Sequence, residues 1–135
     1  MPMEICKKLK KWIPAPNVAA VYDLDTIQWR SEGLAFTLIP DGHDAAQKEQ
    51  HRLELIFQQI LGYQATSETY RQGLWIDAPK DAWTFFECEN SPWVKHFREI
   101  SDLCPEIVHH YVLRGSNWIV EILAEDRPKV IMKVD

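Results

Sequence analysis

Apolar and polar positions along the chain alternate with period two in several short runs and with a helical period in one, a mixture that points to a sheet-rich domain. "VAAVYDLDTIQW" and "LAFTLI" read as two antiparallel strands, roughly 18 to 29 and 34 to 39, reversed at "SEG". "PDG" at Pro40 to Gly42 signals a turn, and the polar run to Gln50 a loop or a single helical turn. In "HRLELIFQ", Leu53, Leu55 and Phe57 point one way and Arg52, Glu54 and Gln58 the other, so 51 to 58 is expected as a strand although the run also suits a helix. The Thr, Ser, Gly and Pro content of 62 to 81 predicts an irregular segment with one short edge strand. "AWTFFECE" is a strand, Ala82 to Glu89.

Ser91 then caps a helix that starts at Pro92, where a missing N–H costs nothing. Trp93, Phe97, Ile100 and Cys104 form its apolar stripe over 92 to 104, and Pro105 stops it. Two apolar runs around Gly115-Ser116 make a hairpin, and "KVIMKV" is the last strand. The expected architecture is α+β: a mainly antiparallel, curled β-sheet packed by one amphipathic helix, with a short N-terminal helix. Ile5, Leu9, Trp12 and Ile13 lie at helical spacing around "KKLKK", so 1 to 17 reads as that basic helix followed by the stiff connector "IPAPN", and 18 to 135 as the body of a single domain.

Composition narrows the function. With 46% apolar and 26% charged residues the chain can build a core without staples. A net charge of −5 argues against nucleic acid as partner, which needs clustered Lys and Arg. The lysines at Lys7 to Lys11 suit anionic membrane less well than a helix docked on the core. No apolar run reaches membrane-spanning length, and three cysteines without C-x-x-C spacing are expected as reduced thiols in the cytoplasm, with no disulfide framework.

Candidate chemistry concentrates on His109 and His110. A two-residue turn at Gly115-Ser116 sets Arg114 opposite Asn117 and His110 opposite Glu121, and strand alternation puts the two histidines on opposite faces. They cannot hold one metal ion together. His110 pairs with Glu121 on a face with Val108, Val112, Ile119 and Leu123, apolar enough to invite a homodimer or a second covering layer. His109 shares the core face with Tyr111 and Trp118 and must find a hydrogen-bond partner or stand at a pocket edge. His109, Tyr111, Trp118 and Glu87 are the candidate ligand-binding residues; no catalytic residue, metal set or cofactor is expected. Asp23 with Asp25, "DGHD" at Asp41 to Asp44, "ECE" at Glu87 to Glu89 and a Cys104-histidine pair read as strand ends, turns and packing.

The order "HRLELIFQQILGY", "WTFFECENSPWVKHF", "VHHYVLRGSNWIVEILAEDRP" resembles, over roughly residues 34 to 128, small bacterial domains similar to immunity proteins of polymorphic toxin systems. The resemblance implies a non-enzymatic protein that binds and blocks a toxin, and it assigns no site residues. The acidic balance suits a basic protein partner. A small-ligand or hydrolytic pocket using His109 and Tyr111 is the rival reading, and a membrane-surface adaptor using Lys7 to Lys11 the third.

Overall fold

The computed structural model describes residues 6, 8–41, 51–67, 82–115 and 117–134. Among the described residues nine strands and one helix follow in order: β1 (Leu9–Lys11), β2 (Tyr22–Arg30), β3 (Gly33–Pro40), β4 (His51–Phe57), β5 (Ile60–Ser67), β6 (Phe85–Cys88), α1 (Pro92–Ile100), β7 (His109–Arg114), β8 (Trp118–Ala124) and β9 (Lys129–Val134). They build two antiparallel sheets, β1-β6-β7-β8-β5 and β2-β3-β4-β9, in place of one curled sheet. The α+β class and the dominance of antiparallel strands stand.

One core joins the sheets. Leu34, Phe36, Leu38, Leu53, Leu55 and Phe57 from the four-stranded sheet pack with Phe85, Tyr111, Leu113, Val120 and Ile122 from the five-stranded one. These are the inward positions of strands with period-two patterns, each worth about 1.5–3 kcal/mol of transfer free energy. The 51-to-58 run resolves as a strand because its alternate leucines face this layer. Gly33 turns β2 into β3 with φ +137°, and any side chain there would strike the Phe57 carbonyl. A bulge between Leu24 and Thr26 absorbs the "DLD" stretch, so Asp23 and Asp25 do not act as a carboxylate pair on one face.

Four expectations change. The predicted N-terminal helix is absent among the described residues: Leu9–Lys11 is strand β1, because the edge of β6 offers ladder partners, Leu9 opposite Cys88 and Lys11 opposite Phe86. Cys6 and Cys88 form a disulfide, against the expected reduced thiols. Their 82-residue separation hides the pairing from spacing, while β1 brings the two Cα atoms to 6.2 Å, within disulfide range. Ile60–Ser67 is an eight-residue edge strand along β8, longer and earlier than the short edge strand expected within 62 to 81, since a strand exposed on one edge tolerates Gly, Gln and Thr. The helix ends at Ile100 rather than Cys104, with Ser101 extended. Gly42, His43 and Asp44 of "DGHD", the polar run to Gln50 and most of the 62-to-81 segment expected to be irregular lie outside the described residues.

On the outer face of the four-stranded sheet Glu54 is buried between two cations, 2.6 Å from Arg30 and 2.9 Å from Lys133. The Lys133 ammonium, aided by Arg30 and opposed by burial, holds its carboxyl below the ordinary value near 4.5. A lowered folded-state value means the pair's stabilisation is complete above that ordinary value and is lost as pH falls through the lower one. Acid titration of unfolding should therefore show a steeper loss in wild type than in Glu54→Gln, and parallel curves would deny the pair its role.

Candidate functional site

The hairpin of β7 and β8 carries both histidines, and the faces predicted for them are those observed. Its register is slipped by two residues: Arg114 pairs with Ile119, and Gly115 N–H donates to the Trp118 carbonyl at 2.9 Å, making the connection longer than a two-residue turn. A slip of two keeps every side chain on its face, whereas a slip of one would exchange the faces. His110 is thus opposite Leu123, and it reaches Glu121 diagonally.

On the outer face His110 is only 3% exposed. Its Nε2 lies 3.1 Å from Glu121 Oε1, its Nδ1 2.6 Å from Ser91 Oγ, and Gln64 Nε2 donates to Glu121 Oε2 at 2.7 Å. With Nε2–H donating to the carboxylate, Nδ1 accepts the Ser91 hydroxyl proton, and Ser91 Oγ in turn accepts from Val94 N–H at 3.1 Å as the cap of α1. Trp93, on the first turn of that helix, stands edge-on to the imidazole at 5.4 Å. The apolar face that invited a second copy is therefore covered from within the chain, by Trp93 over His110 and by Cys6 and Leu9 packed with Phe86, Val112 and Ile119.

Serine, histidine and carboxylate in this order resemble an acyl-transfer relay. The local chemistry argues against that use. Pro92 has no N–H, and Val94 N–H is spent on Ser91, so two of the first donors of α1 that could hold an oxyanion are missing or engaged. The chain Gln64–Glu121–His110–Ser91–Val94 is a buried polar network that joins β5, β8, β7 and α1.

His109 occupies the inner face at the end of β7. Its Nδ1 is 2.7 Å from Glu87 Oε1, and its ring stacks on Tyr111 with centroids 5.6 Å apart and planes 24° apart. Both His109 and Glu87 remain about a quarter exposed, 24% and 25% by side chain. His109 lines a hollow of about 430 Å³ with Glu106, Ile107, Glu125, Asp126 and Arg127. Three of the four candidate residues thus come together: Glu87, His109 and Tyr111. Trp118 does not join them, because it starts β8 at the far end of the hairpin, opposite Ser67. A carboxylate fixing one ring nitrogen of a quarter-exposed imidazole beside an acidic hollow suits recognition of a basic group. Among the described residues no three His, Cys, Asp or Glu side chains are placed to hold a metal ion.

Tyr111 belongs to the core more than to the hollow. It is fully buried against Trp12 and Phe57, and its hydroxyl has no hydrogen-bond partner among the described residues. Burial first and the Glu87 carboxylate second push its pKa up to about 12. A raised folded-state value means stability is complete below the unfolded value of 10.0 and is lost as pH rises toward 12, by about 2–3 kcal/mol. Tyr111→Phe should remove that alkaline loss and leave neutral-pH stability unchanged or raise it by about 1 kcal/mol, since an unsatisfied buried hydroxyl is deleted. A loss above about 1 kcal/mol at pH 7 on chemical denaturation would show that the hydroxyl has a partner after all.

Sequence reasoning missed Ser91 as a histidine partner and missed Gln64 altogether. The signal for the first was present: His110 sits among Val112, Ile119 and Leu123, and an apolar outer face requires a cover, which the capped helix provides. A third feature was also unmarked. Arg98 turns back from α1 and donates to the carbonyls of Pro105 at 2.9 Å and Glu106 at 2.7 Å, closing the loop after the helix. That closed loop presents Ile100, Leu103 and Ile107 to solvent at 68%, 93% and 63% exposure. No family model matches the chain, and neither a curated protein nor a solved structure matches it, which leaves the geometry as the ground for a functional reading.

Proposed function

We propose that the protein is a non-enzymatic binding module whose recognition surface is the Arg98-locked loop after α1, and that its partner is a basic protein. The observation that carries this reading is the set Ile100, Leu103 and Ile107, three large apolar side chains held outward by a short, internally hydrogen-bonded loop. Exposed apolar clusters rimmed by polar groups mark interaction sites, and preorganisation lowers the cost of binding. The rim is acidic on balance: Glu99, Asp102 and Glu106 are exposed and outnumber the exposed Lys95 and Arg98, and Ile107 leads into the hollow where Glu125 and Asp126 outnumber Arg127. Together with the net charge of −5 this supports a basic partner, of which a toxin domain bound by an immunity-type protein is one class.

The test is capture from source-cell extract by immobilised wild type and by a Leu103→Ser/Ile107→Ser variant. The reading expects a basic protein that wild type retains, that the variant loses at unchanged melting temperature, and whose retention falls as salt rises. Equal retention by both, or an acidic partner, contradicts it. A second reading, a small cationic ligand in the hollow beside His109, is favoured by the Glu87 contact that fixes the imidazole. It expects His109→Ala to abolish a thermal shift given by small amines, and flat curves for wild type sink it. The cysteines bear on location: a closed Cys6–Cys88 bond supports an oxidising compartment in place of the cytoplasm expected from cysteine spacing.

A further inference from the structure

We infer that the Cys6–Cys88 disulfide is a thiol–disulfide exchange site, opened by a dithiol reductant from the groove at Cys88, and that opening releases β1 as an N-terminal arm. Access is one-sided. Cys88 forms part of the wall of a groove of about 560 Å³ with Asn90, Ser91, Lys95 and Arg98, and Cys6 is not in that wall. Lys95 and Arg98 make the groove electropositive, which favours both an approaching thiolate and the Cys88 thiolate that later leaves.

The arm is separable from the rest of the fold. β1 has three residues and one neighbouring strand, β6; beside that ladder Glu89 N–H donates to the Lys8 carbonyl at 2.9 Å, Lys11 lies over the Trp83 ring at 5.9 Å, and a surface ion pair joins Lys8 and Glu89 at 3.0 Å, worth little in water. The anchor lies just after it: Trp12 N–H donates to the Phe85 carbonyl at 3.1 Å, its indole N–H to the Phe86 carbonyl at 3.2 Å, and its ring packs on Tyr111 at 5.2 Å. Release therefore stops at Trp12. It removes Cys6 and Leu9 from over Phe86, Val112 and Ile119 and bares that apolar strip.

The exchange balances. A thiolate of the reductant attacks Cys88 Sγ, the S–S bond breaks, and Cys6 leaves as a thiolate that takes a proton from water. The reductant's second thiol then displaces Cys88 and closes its own disulfide. Two electrons and two protons pass to the protein.

The test uses the wild-type protein, oxidised with glutathione disulfide and then treated with dithiothreitol in native buffer. Thiol titration should rise from one per chain, Cys104, to three within minutes. Hydrogen exchange at 8–11 should lose its protection while the amides of β7 and β8 remain protected as in a folded sheet, and Lys95→Glu should slow reduction severalfold. Three titratable thiols after oxidation would show that no bond forms. Reduction only in denaturant would make the bond a sealed staple, and loss of protection in β7 and β8 as complete as at 8–11 would mean that it holds the whole fold; each result overturns the inference, as does an unchanged rate in Lys95→Glu.

Discussion

Replacing His110 with alanine should lower the free energy of unfolding by about 3–5 kcal/mol, while the same change at the adjacent His109 should cost about 1 kcal/mol or less. The contrast follows from what each deletion leaves behind. Without the imidazole, the buried Glu121 keeps its bond from Gln64 and loses the one from His110, Ser91 loses the acceptor for its hydroxyl, and a void opens under Trp93. A buried carboxylate that loses one of its hydrogen-bond donors is the costly part. At His109 the Glu87 carboxylate is already a quarter exposed and can be solvated when its partner goes. Urea denaturation of the two variants at pH 7 measures both numbers. Equal losses would contradict the assignment of His110 to the structural network. A further check is available in a Glu121→Gln background, where loss of His110 should cost less because no carboxylate is stranded.

The second large effect belongs to the disulfide. Against oxidised wild type, Cys6→Ala/Cys88→Ala should lose about 4–5 kcal/mol, the chain-entropy value for a bond that closes a loop of 82 residues. For a chain of this size that corresponds to a melting temperature lower by about 10–20 °C. The gain arises in the unfolded state, whose ends the bond tethers, so it does not require tight packing of β1. Calorimetry of both proteins, with the wild type held oxidised, supplies the comparison. A difference under about 1 kcal/mol would mean that the bond is strained or unformed.

Much of the fold was legible because period-two alternation is a local signal. The core leucines of β4, the capped start of α1 and the opposite faces of His109 and His110 all follow from positions within a few residues of each other. What stayed hidden depends on distant pairings. Leu9–Lys11 is a strand because β6, some seventy residues later, lends it an edge, and its lysines give no sign of that. The Cys6–Cys88 bond rests on the same pairing. The division into two sheets is likewise a matter of which strands pair, and no single segment records it.

The candidate site was legible in part for the same reason. Glu87, His109 and Tyr111 meet through alternation and the β6–β7 pairing, and Trp118 was grouped with them only because parity assigns a face without saying how far along the sheet a residue lies. The loop that presents Leu103 was concealed by the apolar stripe itself, since Ile100 and Cys104 fit helical spacing. The helix stops at Ile100 because Arg98 takes the carbonyls of Pro105 and Glu106 and draws the chain back, which a stripe cannot foretell.

If binding resides on this loop while His110 serves the fold, titration of the purified basic partner into wild type and into Leu103→Asp, with melting temperatures taken on the same samples, separates the two roles. Leu103→Asp should bind with at least a tenfold weaker Kd, about 1.4 kcal/mol or more, at an unchanged melting temperature. An unchanged Kd would place binding elsewhere on the protein.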